Sequence, residues 1–103
     1  MDTSPAFDDI ADALSYLDDW EDRYRYLIEL GQALPPLPDA EHSPANKVSG
    51  CASQVWLAVD GDGASDPVLT LRGDSDALIV KGLVAVVIAL YSGRHASDVA
   101  RKI

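Results

Sequence analysis

The stretch ALIVKGLVAVVIALY, residues 77–91, is apolar on nearly every side and carries one charge, Lys81. A bilayer span needs roughly 20 such residues, so this run is too short to cross one. A helix that is hydrophobic all round is a buried one. The run therefore predicts a core helix that the rest of a 103-residue chain must surround. A chain of this size can fold alone, around a modest core.

The flanking segments supply that cover. SPAFDDIADALSYL opens on a helix start: Ser4 caps, Pro5 suits the first position, and Asp8 and Asp9 favour the first turn. Phe7, Ile10, Leu14 and Leu17 form its apolar stripe. A second helix follows in DDWEDRYRYLIELGQAL, capped by Asp18 or Asp19, with Trp20, Tyr24, Leu27, Ile28 and Leu34 on one face. Gly31 weakens its far end and Pro35-Pro36 stops it. Residues 35–50 form a long proline-rich loop, of a length often functional although a plain connector is commoner. QVWLAVD then alternates, with Val55, Leu57 and Val59 on one side and Gln54, Trp56 and Ala58 on the other. DGDGASD is a turn and PVLTLRG the return strand. KVSG adds a short edge strand. The core helix is capped by Asp74 or Ser75 and ends at Ser92-Gly93. HASDVARKI begins a fourth helix, capped by His95 or Ser97. The order α-α-β-β-α-α predicts an α+β fold, a small antiparallel sheet of two to three strands packed against helices, as one domain over residues 1–103.

Charge narrows the partners. The net charge is −9, and residues 1–22 hold eight acidic side chains and no basic one. Nucleic acid and anionic membranes are held by Lys and Arg, so neither is expected; a basic patch on a partner protein suits this chain better. The acid-rich start is unlike an organelle transit peptide, no signal-peptide core is present, and one cysteine cannot form an internal disulfide. The expected compartment is the cytoplasm. DGDGASD lacks EF-hand spacing, and one Cys with two His is too few for a zinc or iron–sulfur site, so no metal is expected.

The one cysteine, Cys51, follows Gly50 and precedes the strand instead of lying within it. Gly50 permits backbone angles that other residues avoid, so Cys51 can ride on a sharp turn. Ser49, Ser53 and Gln54 surround it with hydrogen-bonding groups. Three readings stand: a small buried hydrophobe, a thiol enzyme with His42 as base, or a thiol that collects sulfur from another protein's persulfide. His42 and His95 read as surface or capping residues.

Several segments resemble the SufE/CsdE-type sulfur acceptor proteins, which partner cysteine desulfurases in iron–sulfur cluster assembly. RYRYLIELGQALPPLPD resembles the family's second helix and proline loop, SPANKVSGCASQVWL its cysteine loop, and LRGDSDALIVKGLVAVVIALYSG its strand-to-core-helix segment. The resemblance implies a fold related to the scaffold proteins of that pathway. It implies that Cys51 accepts persulfide sulfur from a desulfurase of the SufS/CsdA type, that the desulfurase is activated, and that sulfur passes to iron–sulfur scaffold proteins. Gly50, Ser53, Gln54 and Asp74 are the expected loop-supporting or partner-facing residues, Asp74 being either a plain cap or a control on loop mobility. Lys81 is placed on a partner-facing or solvated edge and Trp56 in packing. The chain is expected to be no enzyme by itself and to have no cofactor of its own, pyridoxal phosphate belonging to the desulfurase. Within the resemblance, the loop shelters the thiol in an apolar pocket, which raises its pKa, and docking draws it out. Family members usually continue past ASDVARKI. The expectation is that C-terminal helices are absent, that apolar core surface is exposed, that self-association covers it, and that stability is reduced. The alternatives are a truncated module that docks on a desulfurase without transferring sulfur, or an independent Cys51–His42 enzyme.

Overall fold

The computed structural model describes residues 7–50 and 52–102. Ser4, Pro5 and Cys51 lie outside the described residues. The chain runs through α1 (Phe7–Tyr16), α2 (Trp20–Gln32), a single 3-10 turn (Asp39–Glu41), β1 (Val55–Gly61), β2 (Leu69–Ser75), α3 (Leu78–Tyr91) and α4 (Ala96–Lys102). This is the α+β order expected, with the apolar run as the central helix: α3 packs against α1, α2 and β2. No helix among the described residues is long and apolar enough to cross a membrane.

The core lies between α3 and the sheet. Val55, Leu71, Val84 and Ile88 are buried together, with Leu34, Leu57, Val80 and Tyr91 packed against them. Ile10 of α1 is 1% exposed. The apolar character of α3 nevertheless exceeds its cover, since Leu83 and Val87 stand half-exposed.

Two glycines set the approach of α2 to α3. A Cβ on Gly82 would overlap the Leu27 carbonyl of α2, and one on Gly31 would sit 2.7 Å from the Gly82 nitrogen. Gly31 is therefore the crossing point of the two helices, where the sequence suggested only a weak helix end. α2 is capped by Asp19, whose side chain accepts from the Glu21 N–H at 2.9 Å. Trp20 and Tyr24 share a face with Leu27 and Gly31, as the spacing predicted, but the contact with α3 is made at Leu27 and Gly31, and the first turns of that face stay exposed.

β1 and β2 pair antiparallel, with Trp56 opposite Asp74, Leu57 opposite Gly73 and Ala58 opposite Arg72. Two expectations are corrected here. Asp74 and Ser75 do not cap α3. They are the last residues of β2, because they pair with Trp56 and Val55, and α3 begins after Ala77 with no side-chain cap. KVSG is not a strand; it contributes one isolated bridge, Lys47 opposite Trp56. The expected alternation in β1 also fails at the hairpin end, where Ala58 is buried and Val59 is half-exposed. α4 starts one residue after His95, whose carbonyl accepts from Asp98 and Val99. Its first turn is capped from the hairpin turn by Asp66, which accepts from the Ser97 amide at 3.0 Å and hydroxyl at 2.7 Å. Those two bonds hold the Asp66 carboxyl below the usual carboxylate range.

Candidate functional site

The loop that carries the cysteine is tied down at both ends. On its N-terminal side, Leu37 is buried and pins the proline segment. The Pro38 carbonyl accepts from the Glu41 N–H at 2.8 Å, and the Asn46 side chain donates to the Glu41 carbonyl at 3.0 Å. The segment then runs along the outer edge of β1: the Leu57 N–H donates to the Asn46 carbonyl at 2.8 Å and the Val48 N–H to the Val55 carbonyl at 2.9 Å. On the C-terminal side the anchor is the Gln54 main chain. Its N–H donates to Asp76 Oδ1 at 3.0 Å, and its carbonyl accepts from the Ser75 hydroxyl at 2.8 Å and the Asp76 N–H at 3.2 Å.

Between the anchors Val48 and Gln54 lies the tip. Gly50 has φ +85°, left-handed backbone that favours glycine, and a Cβ there would meet nothing within 4 Å. Ser49, Gly50 and Ala52 are exposed and Ser53 is half-buried. Cys51 itself lies outside the described residues. A cavity of about 400 Å³ sits on the far edge of β2, between Leu34, Pro36, Gly73 and Ile88. No described residue of the segment 43–54 lines it.

Two ionic clamps bind the N-terminal arm to the outward face of β2. Glu41 makes a two-point pair with the Arg72 guanidinium, which also donates to Asp60 Oδ2 of β1 at 2.9 Å from Nη2. The Arg72 hydrogen bond holds the Glu41 carboxyl low, and Glu41 and then Asp60 push Arg72 up. One residue further along, His42 Nε2 stands 2.7 Å from Asp74 Oδ2 and Nδ1 stands 3.1 Å from the Pro38 carbonyl. Its ring meets Trp56 edge-on, centroids 4.7 Å apart. Asp74 also accepts from the Ser75 N–H at 2.8 Å and pairs with Lys81 Nζ at 3.3 Å.

These contacts define the protonation states. Both nitrogens of His42 face acceptors, so the doubly protonated imidazolium satisfies both. The hydrogen bond to Asp74 raises the His42 pKa above its ordinary 6.5; partial burial opposes the rise and the Pro38 carbonyl adds to it. Burial pushes the Asp74 carboxyl up, but His42, the Ser75 amide and Lys81 together outweigh it and hold the group below its ordinary 3.8. A ring engaged at both nitrogens has none free to take a proton from a thiol, which counts against a Cys51–His42 enzyme.

Of the residues singled out from sequence, Gly50, Gln54 and Asp74 come together at the loop and its anchors, and Ser53 stands beside the tip. His42 is a capping residue, closing the 3-10 turn with its N–H on the Asp39 carbonyl, and its side chain is in addition clamped to Asp74. Lys81, expected on a partner-facing or solvated edge, is partly buried and pairs with Asp74. Sequence reasoning missed Glu41, Arg72 and Asp60. The one signal for them was the alternation of charge along β2, since Arg72 and Asp74 share a strand face at a spacing of two. Among the described residues no group of three or more His, Cys, Asp or Glu is placed to hold a metal ion.

A two-stranded sheet backed by a central apolar helix, with a clamped glycine-hinged loop around a lone cysteine, defines a small α+β cysteine-loop protein. The chain belongs to the SufE family: the family model, an Fe-S metabolism associated domain, matches residues 8–102. It is 55% identical over 97 residues to an uncharacterized SufE-like protein of Rhizobium meliloti, covering 93% of this chain and 69% of the relative. It is 56% identical over 96 residues to one of Rhizobium etli, covering 92% of this chain and 65% of the relative. The chain thus spans about two thirds of the length of these relatives.

Proposed function

We propose that the chain is a sulfur carrier that takes persulfide sulfur from a cysteine desulfurase onto Cys51, raises that enzyme's turnover, and passes the sulfur to iron–sulfur scaffold proteins. The observation that carries this reading is the tip: one cysteine, next to a glycine at φ +85°, in a short span anchored at Val48 and Gln54, inside a SufE domain.

The chemistry balances without a cofactor on this chain. The Cys51 thiolate attacks the outer sulfur of the donor's cysteine persulfide. A bond forms between Cys51 Sγ and that sulfur as the donor's S–S bond breaks. The donor cysteine leaves as a thiolate and takes up a proton, and no net oxidation occurs. Because His42 has no free nitrogen, the proton leaving Cys51 goes to solvent or to a group of the desulfurase. The clamps of the loop contribute position: they fix Val48 and Gln54, the two ends of the short span that holds the cysteine in sequence.

The test is an intact mass after incubation with a cysteine desulfurase, cysteine and pyridoxal phosphate. The expected result is one added sulfur, absent in Cys51→Ser. Binding without the mass shift, or a shift that survives the substitution, overturns the reading.

A further inference from the structure

The start of α2 presents a surface that the fold leaves bare. Trp20 and Tyr24 are 63% and 53% exposed, one helical turn apart, with ring centroids 5.9 Å from each other. Exposed aromatic side chains on a helix face, ringed by polar groups, are the composition of a protein contact site. The ring here is acidic. Asp18, Asp19, Glu21 and Asp22, the chain neighbours of Trp20, are all exposed; of the two basic residues flanking Tyr24, Arg25 is already paired with Asp22. A cation already sits on the tryptophan: the Arg23 guanidinium carbon lies 5.0 Å from the Trp20 ring centroid, steered there by the bond from its Nε to the Leu17 carbonyl. The Trp20 ring thus has a geometry that a guanidinium accepts.

We propose that this face, centred on Trp20 and Tyr24, is a docking surface for an arginine-bearing patch on the cysteine desulfurase, separate from the cysteine loop. The identity of the partner rests on the carrier reading above. Charge complementarity selects the occupant: a surface of like acidity is repelled, and a basic one is drawn in and supplies side chains to stack on the rings. The separation follows from α2 itself. Trp20 lies about 16 Å along the helix from Gly31 at 1.5 Å per residue, and Gly31 touches the Lys81–Gly82 backbone near the loop clamp. The desulfurase is therefore gripped at two places, one for chemistry and one for affinity.

The test is calorimetric titration of the protein into the desulfurase at low and high salt, for wild type, Trp20→Ala and Glu21→Lys, with far-UV circular dichroism to confirm folding. Trp20→Ala is expected to weaken binding about tenfold. Glu21→Lys is expected to weaken it at low salt and to lose most of that effect at high salt. Sulfur acceptance at saturating desulfurase stays unchanged in both. Wild-type affinity in both variants overturns the docking surface and leaves the carrier reading standing. A wild-type protein that does not bind overturns both. If Trp20→Ala instead dissociates a homodimer in sedimentation while desulfurase affinity holds, a second copy occupies the face and the proposal is wrong.

Discussion

Replacing Gly82 by alanine tests whether the α2–α3 crossing is set by backbone contact. At an exposed helix position the change stabilises, because alanine is the better helix former by about 1 kcal/mol. Here the new Cβ overlaps the Leu27 carbonyl and comes to 3.2 Å from the Leu27 Cβ. The overlapped atom belongs to a helix backbone and cannot rotate away, so the helices must part. Overpacking of this kind costs about 1–3 kcal/mol, and rigid neighbours on both sides place it near the upper end. The net expectation is a loss of about 2 kcal/mol after the propensity gain. For a chain of this length that lowers the melting midpoint by roughly 12 °C. Thermal denaturation followed by far-UV circular dichroism measures it. A midpoint equal to or above wild type refutes the close crossing, since the two terms have opposite signs.

The neighbouring position gives an internal control. A Cβ on Gly31 would lie 2.7 Å from the Gly82 nitrogen and 2.8 Å from the Lys81 carbonyl carbon, so the helices must move by roughly 0.7 Å to restore an ordinary 3.4 Å contact. Both substitutions open the same gap, so Gly31→Ala with Gly82→Ala costs less than the separate losses combined. The displacement acts on the backbone of Lys81, whose Nζ pairs with Asp74 at 3.3 Å in the native chain. Sulfur acceptance is therefore expected to change along with stability.

Two further outcomes concern the loop. The His42 clamp is complete below the ordinary pKa of 6.5 and is lost as pH rises through the raised value in the folded protein; alkylation of Cys51 by iodoacetamide is expected to accelerate over that window beyond thiol ionisation alone, with the extra step absent in His42→Arg, and parallel profiles for the two proteins refute the clamp. Gly50→Ala meets no side chain or backbone within 4 Å, so its cost is the left-handed backbone alone, about 1–2 kcal/mol, seen as slower sulfur acceptance by stopped-flow mass analysis with wild-type binding; an unchanged rate refutes the hinge.

The parts of this fold that were legible in sequence are those decided locally. The apolar run over residues 77–91 declared the core helix because apolar residues on nearly every side call for cover, and α3 is Leu78–Tyr91. Gly50 was readable because its neighbours place it in a turn. What escaped was decided by partners distant in sequence. Asp74 and Ser75 carry a strong capping signal, yet pairing with Trp56 and Val55 keeps them in the strand. Trp20 and Tyr24 fit the apolar face of α2, yet α3 meets that face only at Leu27 and Gly31, roughly one to three turns further along, and leaves its start uncovered. His42, Asp74 and Lys81 meet only after the hairpin closes and α3 starts, so no spacing in the chain announces them.

The two clamps also explain why the loop sits in one register. Glu41 and His42 are adjacent and opposite in charge, and they meet Arg72 and Asp74, which lie two apart on one face of β2 and are opposite in charge in the same sense. Sliding the loop by one residue would bring Glu41 to Asp74 or His42 to Arg72, and each pairing is of like charges. Half-exposed ion pairs of this kind contribute little to overall stability. Their effect is on choice between arrangements, since the wrong register loses the attractions and meets repulsions in their place. Register in turn positions the tip, because Asn46 and Val48, a few residues on, are the ones that bond to β1. The charges on β2 thus locate the cysteine span through the loop and through the strand end at once: Asp74 holds His42 before the span, while Ser75 and Asp76, next along the chain, hold Gln54 after it.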